Sequence, residues 1–131
     1  MNPSNDHPRG LGILAGIQRF TVETDRETLE IHRLGVFDGR MVELVELNAG
    51  QHYPPHIHHH STARLQVLVG RGVIALNDVP HTFAAGSVFD VPAGTSHGFD
   101  IVEQTVLFST QDPPIYDAPT GNIDVTYVKP D

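Results

Sequence analysis

The sequence predicts an all-β fold, a single sandwich or barrel, and three observations carry that expectation. Apolar and polar residues alternate in short runs, as half-buried strands require. Turn signals rich in glycine, proline, asparagine and aspartate separate those runs at short intervals. No segment sustains the 3.6-residue period of an amphipathic helix. At 131 residues the chain is long enough for one core and carries no linker or internal repeat, so one domain is expected.

Residues 1–10 are polar, with Pro3, Pro8 and Gly10, and are expected as a flexible tail. The apolar run from Leu11 to Ile17 is too short to span a bilayer and leads into Gln18 and Arg19 without a cleavage site. It is expected as a first strand or an arm packed on the barrel, which should extend over 11–112. Thr28–Leu34 sets Leu29 and Ile31 against Glu30 and His32 in an in-out alternation. Asp38-Gly39 signals a hairpin, and Met41–Leu47 follows as a strand closed by Asn48-Ala49-Gly50. Pro54-Pro55 should interrupt regular pairing. Leu65–Val69 reads as a strand, Gly70-Arg71-Gly72 as a turn and Val73–Asn77 as the returning strand. Further strands are expected near Ser87–Val91, Ser96–Ile101 and Thr105–Ser109, separated by Asp78-Val79-Pro80, Ala85-Gly86 and Pro92-Ala93-Gly94. Pro113-Pro114 opens a C-terminal tail, 113–131, which ends in at most one short strand, Asp124–Val128.

Sixteen acidic against eight basic side chains give a formal charge of −8, which argues against nucleic acid or an anionic membrane surface as partner. With no cysteine, neither disulfides nor a thiolate metal site can form, and a cytoplasmic location is expected. Histidine is the unusual residue: there are nine, most of them between His52 and His97. Side chains two apart on a strand share a face, so His56 and His58 can present imidazoles side by side. A stable site needs a third ligand. His97, just past the Pro92-Ala93-Gly94 turn, is the best placed. Taken alone, a histidine pair is more often a solvated face than a metal site.

The glycine and proline framework around these histidines resembles that of the cupin family. Gly50, five residues, His56-Ile57-His58 and a closing Gly70 match the first cupin motif. Gly86, Pro92, Gly94 and His97 match the second, and 15 residues separate Gly70 from Gly86. The resemblance covers about residues 40–110 and implies a cupin-type β-barrel, a double-stranded β-helix or jelly roll. It also implies one divalent transition metal on His56, His58 and His97, iron(II) first, with zinc, manganese or nickel as alternatives.

The chain departs from the pattern in two places. The family glutamate falls at Ala63, which cannot bind metal, and the family asparagine at Ile101. Three readings follow. The shell is three histidines with open positions, as in cupins resembling cysteine dioxygenase and diketone-cleaving dioxygenase. Alternatively His60, which shares parity with His56 and His58, or Gln66 shifted by a bulge, supplies the fourth ligand. In the third reading the barrel binds an organic ligand without metal.

Further pocket candidates are Arg64, able to hold a carboxylate or phosphate unless it is a solvated strand residue, and Glu43, an inward general base or a solvent-facing carboxylate. Tyr53 and His52 are candidates for the pocket mouth, and Phe99 and Ile101 for an apolar wall. His32 and His81 read as surface residues. The function expected is a metal-dependent, dioxygenase-like enzyme acting on a small polar or anionic metabolite. A sugar isomerase or epimerase is the alternative, and non-catalytic binding of a small molecule a third. Homodimers paired through edge strands are expected.

Overall fold

The computed structural model of the chain describes residues 18–23, 28–117 and 119–128. The expected tail 1–10 and the run Leu11–Ile17 lie outside the described residues. Every element within them is a strand. Strands β1 (Gln18–Glu23), β2 (Thr28–Phe37) and β3 (Arg40–Leu47) form an antiparallel meander, with β2 and β3 joined at the expected Asp38-Gly39 hairpin. On β3 Met41, Glu43, Val45 and Leu47 are buried while the residues between them are partly exposed, the alternation a half-buried strand dictates.

Two long strands organise the rest. β5 (Thr62–Leu76) and β8 (His97–Asp112) pair with each other over almost their whole length. On its other edge β8 holds β4 (His52–Ile57) beside its first residues and β3 beside its last. The other edge of β5 holds β7 (Val88–Val91) and then β6 (Val79–Ala84). Each long strand thus spans two short ones, and the sheet curls into a barrel of the jelly-roll type. Leu29, Ile31, Val45, Leu65, Val67, Ile74, Phe83, Phe99 and Leu107 are among the buried residues of its core.

The sequence reading cut both long strands too short. Gly70-Arg71-Gly72 is not a turn. The register against β8 shifts there, so β5 bends through a bulged corner and runs on. A Cβ on Gly70 would collide with the Gln104 carbonyl and with Thr105, and Gly70 has φ +102°, so the close approach and the corner both require glycine. The return comes instead at Asn77-Asp78, both at positive φ, and leads into β6, a strand the sequence reading did not anticipate. Likewise the strands expected near Ser96–Ile101 and Thr105–Ser109 are one strand, β8, which begins at His97. Pro54 and Pro55 lie inside β4, where the expected break takes the form of a register shift between Tyr53 and His56. The C-terminal segment forms three short strands rather than one. β9 (Tyr116–Asp117) pairs with β10 (Asn122–Ile123), and β11 (Thr126–Tyr127) adds to the free edge of β4. Among the described residues no helix is long and apolar enough to cross a membrane.

Candidate metal centre

β4 delivers His56 and, one residue past its end, His58; the first residue of β8 is His97, paired in register with His56. All three are buried, and one ring nitrogen of each lies within 4.8 Å of those of the other two. The His56 and His97 ring centroids stand 4.0 Å apart, and those of His58 stand 5.1 Å from His56 and 5.0 Å from His97. Gly98 permits this approach: a Cβ there would meet the Pro55 nitrogen at 2.9 Å and the Tyr53 carbonyl at 3.0 Å.

The protonation of the rings follows from their hydrogen bonds. Nδ1 of His56 lies 3.0 Å from the Pro54 carbonyl, Nδ1 of His58 2.7 Å from that of Asp124, and Nδ1 of His97 3.2 Å from that of Thr95. A carbonyl only accepts, so each Nδ1 carries a proton, and Nε2 is the ring nitrogen left available to a metal. Burial, with the neighbouring imidazoles adding to it, holds His56 well below the usual histidine range and lowers His97 to about 4. Three imidazoles with clustered ring nitrogens and Nδ1 atoms anchored on carbonyls are a donor set that suits a divalent transition metal, so the residues fit such an ion.

The three histidines close one end of a cavity of about 340 Å³. Its walls are mainly apolar, with Ile31, Val45, Leu65, Phe99 and Leu107 from the barrel and Ile123 and Val125 from the C-terminal segment. Tyr53 stacks on His56 at 4.7 Å. Burial, with a hydrogen bond to Tyr127 and the charge of Glu43 contributing, pushes the Tyr53 phenol upward, so it stays protonated.

Glu43 is buried in the same cavity, at 2% exposure, and not solvent-facing. Arg33 donates to its Oε2 from Nε at 2.9 Å and from Nη2 at 2.8 Å, and Gln111 donates to its Oε1 at 3.0 Å. The Gln111 amide also donates to Ser109 at 2.9 Å. Ala63, the position of the family glutamate, is buried and lines the cavity.

Four expected candidates lie elsewhere. His60 is exposed and outside the histidine group: β4 ends at Ile57, and strand parity does not carry through the bend at 59–60. Arg64 points outward from β5 and pairs with Asp90 on β7 at 2.9 Å, so it does not line the cavity. Gln66 is exposed by the same alternation. His52 bonds Asp100 at 2.7 Å and does not line the cavity. Sequence reasoning missed Arg33, and it set Ser109 and Gln111 at the barrel's exit rather than beside Glu43. Their parity with Ile31 and Leu107 was the available signal. Nothing in the sequence pointed to Asp124.

A family model described as the cupin domain matches residues 43–108, which include both histidine segments. The chain is a cupin. Solved structures of similar fold include Streptomyces PAC13 with uridine, at 22% identity and a TM-score of 0.67 over 88% of this chain and 87% of that one. PAC13 is described as a nucleoside dehydratase. A Klebsiella pneumoniae protein with a double-stranded β-helix domain matches at 16% identity and a TM-score of 0.67, over 95% of this cupin and 100% of that chain. Salicylate 1,2-dioxygenase from Pseudaminobacter salicylatoxidans matches at 25% identity and a TM-score of 0.59, over 68% of this cupin but 25% of that enzyme. Comparison with curated proteins gave no match.

Proposed function

We propose that this cupin is a metal-dependent enzyme acting on a small metabolite that carries an anionic or ionisable oxygen group, with dioxygenase-type chemistry. The observation that supports this most is the neutral three-histidine donor set with Ala63 where the family carries a carboxylate. A divalent ion on His56, His58 and His97 would keep its double charge and open positions, supplying Lewis acidity and, as iron(II), reactivity toward dioxygen. The chain's own groups do the rest. The Tyr53 ring stacks on His56, and its protonated hydroxyl in the same cavity is a donor for a bound oxygen. The apolar walls exclude water and suit a ligand whose polar groups lie at its ends. The dioxygenase activity stated for the Pseudaminobacter salicylatoxidans enzyme is compatible with this reading.

A second reading, proton transfer in an isomerase, epimerase or dehydratase, is favoured by the buried Glu43 carboxylate in the same cavity. Arg33 and Gln111 fix its orientation, as a general base requires. The dehydratase description of Streptomyces PAC13 is compatible with that reading.

Elemental analysis of untagged protein purified without oxygen tests both. Near-stoichiometric iron with substrate-dependent oxygen uptake supports the first. Zinc, manganese or nickel, with turnover lost in Glu43→Gln while metal is retained, supports the second. A protein that refuses added metal overturns both and leaves binding without turnover. A homodimer in a reducing cytoplasm completes the proposal, consistent with the cysteine-free composition.

A further inference from the structure

The three ligand histidines are not anchored alike. His56 and His97 take their carbonyl partners from Pro54 and Thr95, two residues upstream in each case, so local backbone alone supplies them. His58 takes its partner from Asp124, 66 residues away in the C-terminal segment and outside the cupin match at 43–108. The Asp124 side chain meets the same loop. Its Oδ1 accepts from the His59 amide at 2.7 Å, and its Oδ2 accepts from the His60 amide at 2.8 Å and the Ser61 amide at 3.0 Å. The Asp124 amide donates to the Ile115 carbonyl at 2.7 Å, closing the segment on itself. Beyond it, Thr126 and Tyr127 pair with Ile57 and His56, the His59 ring meets the Thr126 hydroxyl at 3.0 Å, and the Val128 amide donates to Pro55. The same segment brings Ile115, Tyr116, Ile123, Val125 and Tyr127 to the cavity wall.

We propose that Asp124 is a positioning residue for His58, and that docking of the C-terminal strap converts a two-histidine site into a three-histidine one. The proposal rests on the metal reading above. A ligand imidazole whose Nδ1–H has no acceptor is free to rotate and to change tautomer, and loss of such an outer contact costs about 10–100-fold in metal affinity. Asp124 holds the ring through its carbonyl and holds the following loop in place through its carboxylate. Linkage makes the effect reciprocal: whatever factor strap docking adds to metal affinity, metal adds to strap docking. The strap also walls the cavity, so lifting it to admit a substrate releases His58 at the same time.

The test uses the full chain with Asp124→Ala, which removes three hydrogen bonds from the loop, and Asp124→Asn, which keeps one side-chain oxygen. Two readouts are taken. Nitrogen-15 spectra of the imidazoles in metal-free protein report each tautomer. Titration with zinc or cobalt(II), followed for cobalt by its visible spectrum, reports affinity and coordination. The expected result is loss of the fixed Nδ1–H form at His58 alone, with His56 and His97 unchanged. Affinity should fall about 10–100-fold in Asp124→Ala and less in Asp124→Asn, and zinc should slow amide exchange in 122–128 of the wild type. An unchanged His58 tautomer with wild-type affinity in both variants overturns the proposal. So does an equal disturbance of all three histidines, which marks a merely structural role. If Asp124→Ala does not fold, Asp124→Asn carries the same comparison. A wild type that binds neither ion, yet shows the selective His58 change in the variants, fails the metal reading while upholding the anchoring of His58.

Discussion

At His56, His58 and His97 main-chain carbonyls hold a proton on Nδ1 and leave Nε2 available to a metal, and burial disfavours the charged ring at His56 and His97. His56→Ala, His58→Ala and His97→Ala should each abolish stoichiometric metal, measured by elemental analysis, whereas His60→Ala should leave it unchanged. Ala63→Glu places a carboxylate inside the cavity. It should tighten zinc binding in a competition titration while costing about 1–3 kcal/mol of stability through overpacking. The lowered value at His97, about 4, has a further consequence for the metal-free protein. Unfolded histidine titrates near ~6.5, so between that pH and about 4 the unfolded chain binds a proton that native His97 refuses. Stability should therefore fall as pH drops through this window, and thermal unfolding against pH should show a shallower slope in His97→Gln. The buried group of three histidines was legible because motif spacing fixed it. His60, Arg64 and Gln66 were misread because parity was extended across a bend or the register was unknown. Asp124 was invisible, since its role exists only once distant segments meet.

The two long strands, β5 and β8, are the elements the sequence concealed. Glycine in Gly70-Arg71-Gly72 reads locally as a turn, but its purpose is a close crossing against Gln104 and Thr105. Gly70→Ala meets both a steric collision and an unfavourable φ, so it should destabilise by about 3 kcal/mol or more, measured by urea unfolding. Strands bounded by true hairpins, such as β2 and β3, were legible because Asp38-Gly39 announces its own geometry. Strands that bend around the barrel carry no such signal. The same continuity explains the site: β8 brings His97 at its start and Ser109 and Gln111 near its end to one cavity.

For the whole molecule, the fold class and the family were legible from two spaced motifs, while the cavity's second polar group was legible only at Glu43. Arg33, Glu43, Ser109 and Gln111 come from three strands, and only closure of the barrel assembles them. The expected homodimer belongs to this scale. Sedimentation at micromolar concentration should give twice the chain mass of 14.3 kDa, and a monomer would refute it.

Gly98 carries a consequence for coordination chemistry. With no side chain to hold β4 and β8 apart, the spacing of His56 and His97 is set by paired backbone rather than by rotamers. As metal ligands the pair would form a chelate of fixed bite. Ions whose preferred geometry matches that bite should load without rearranging the barrel, and those that need a wider one should be rejected by strain rather than by ligand type.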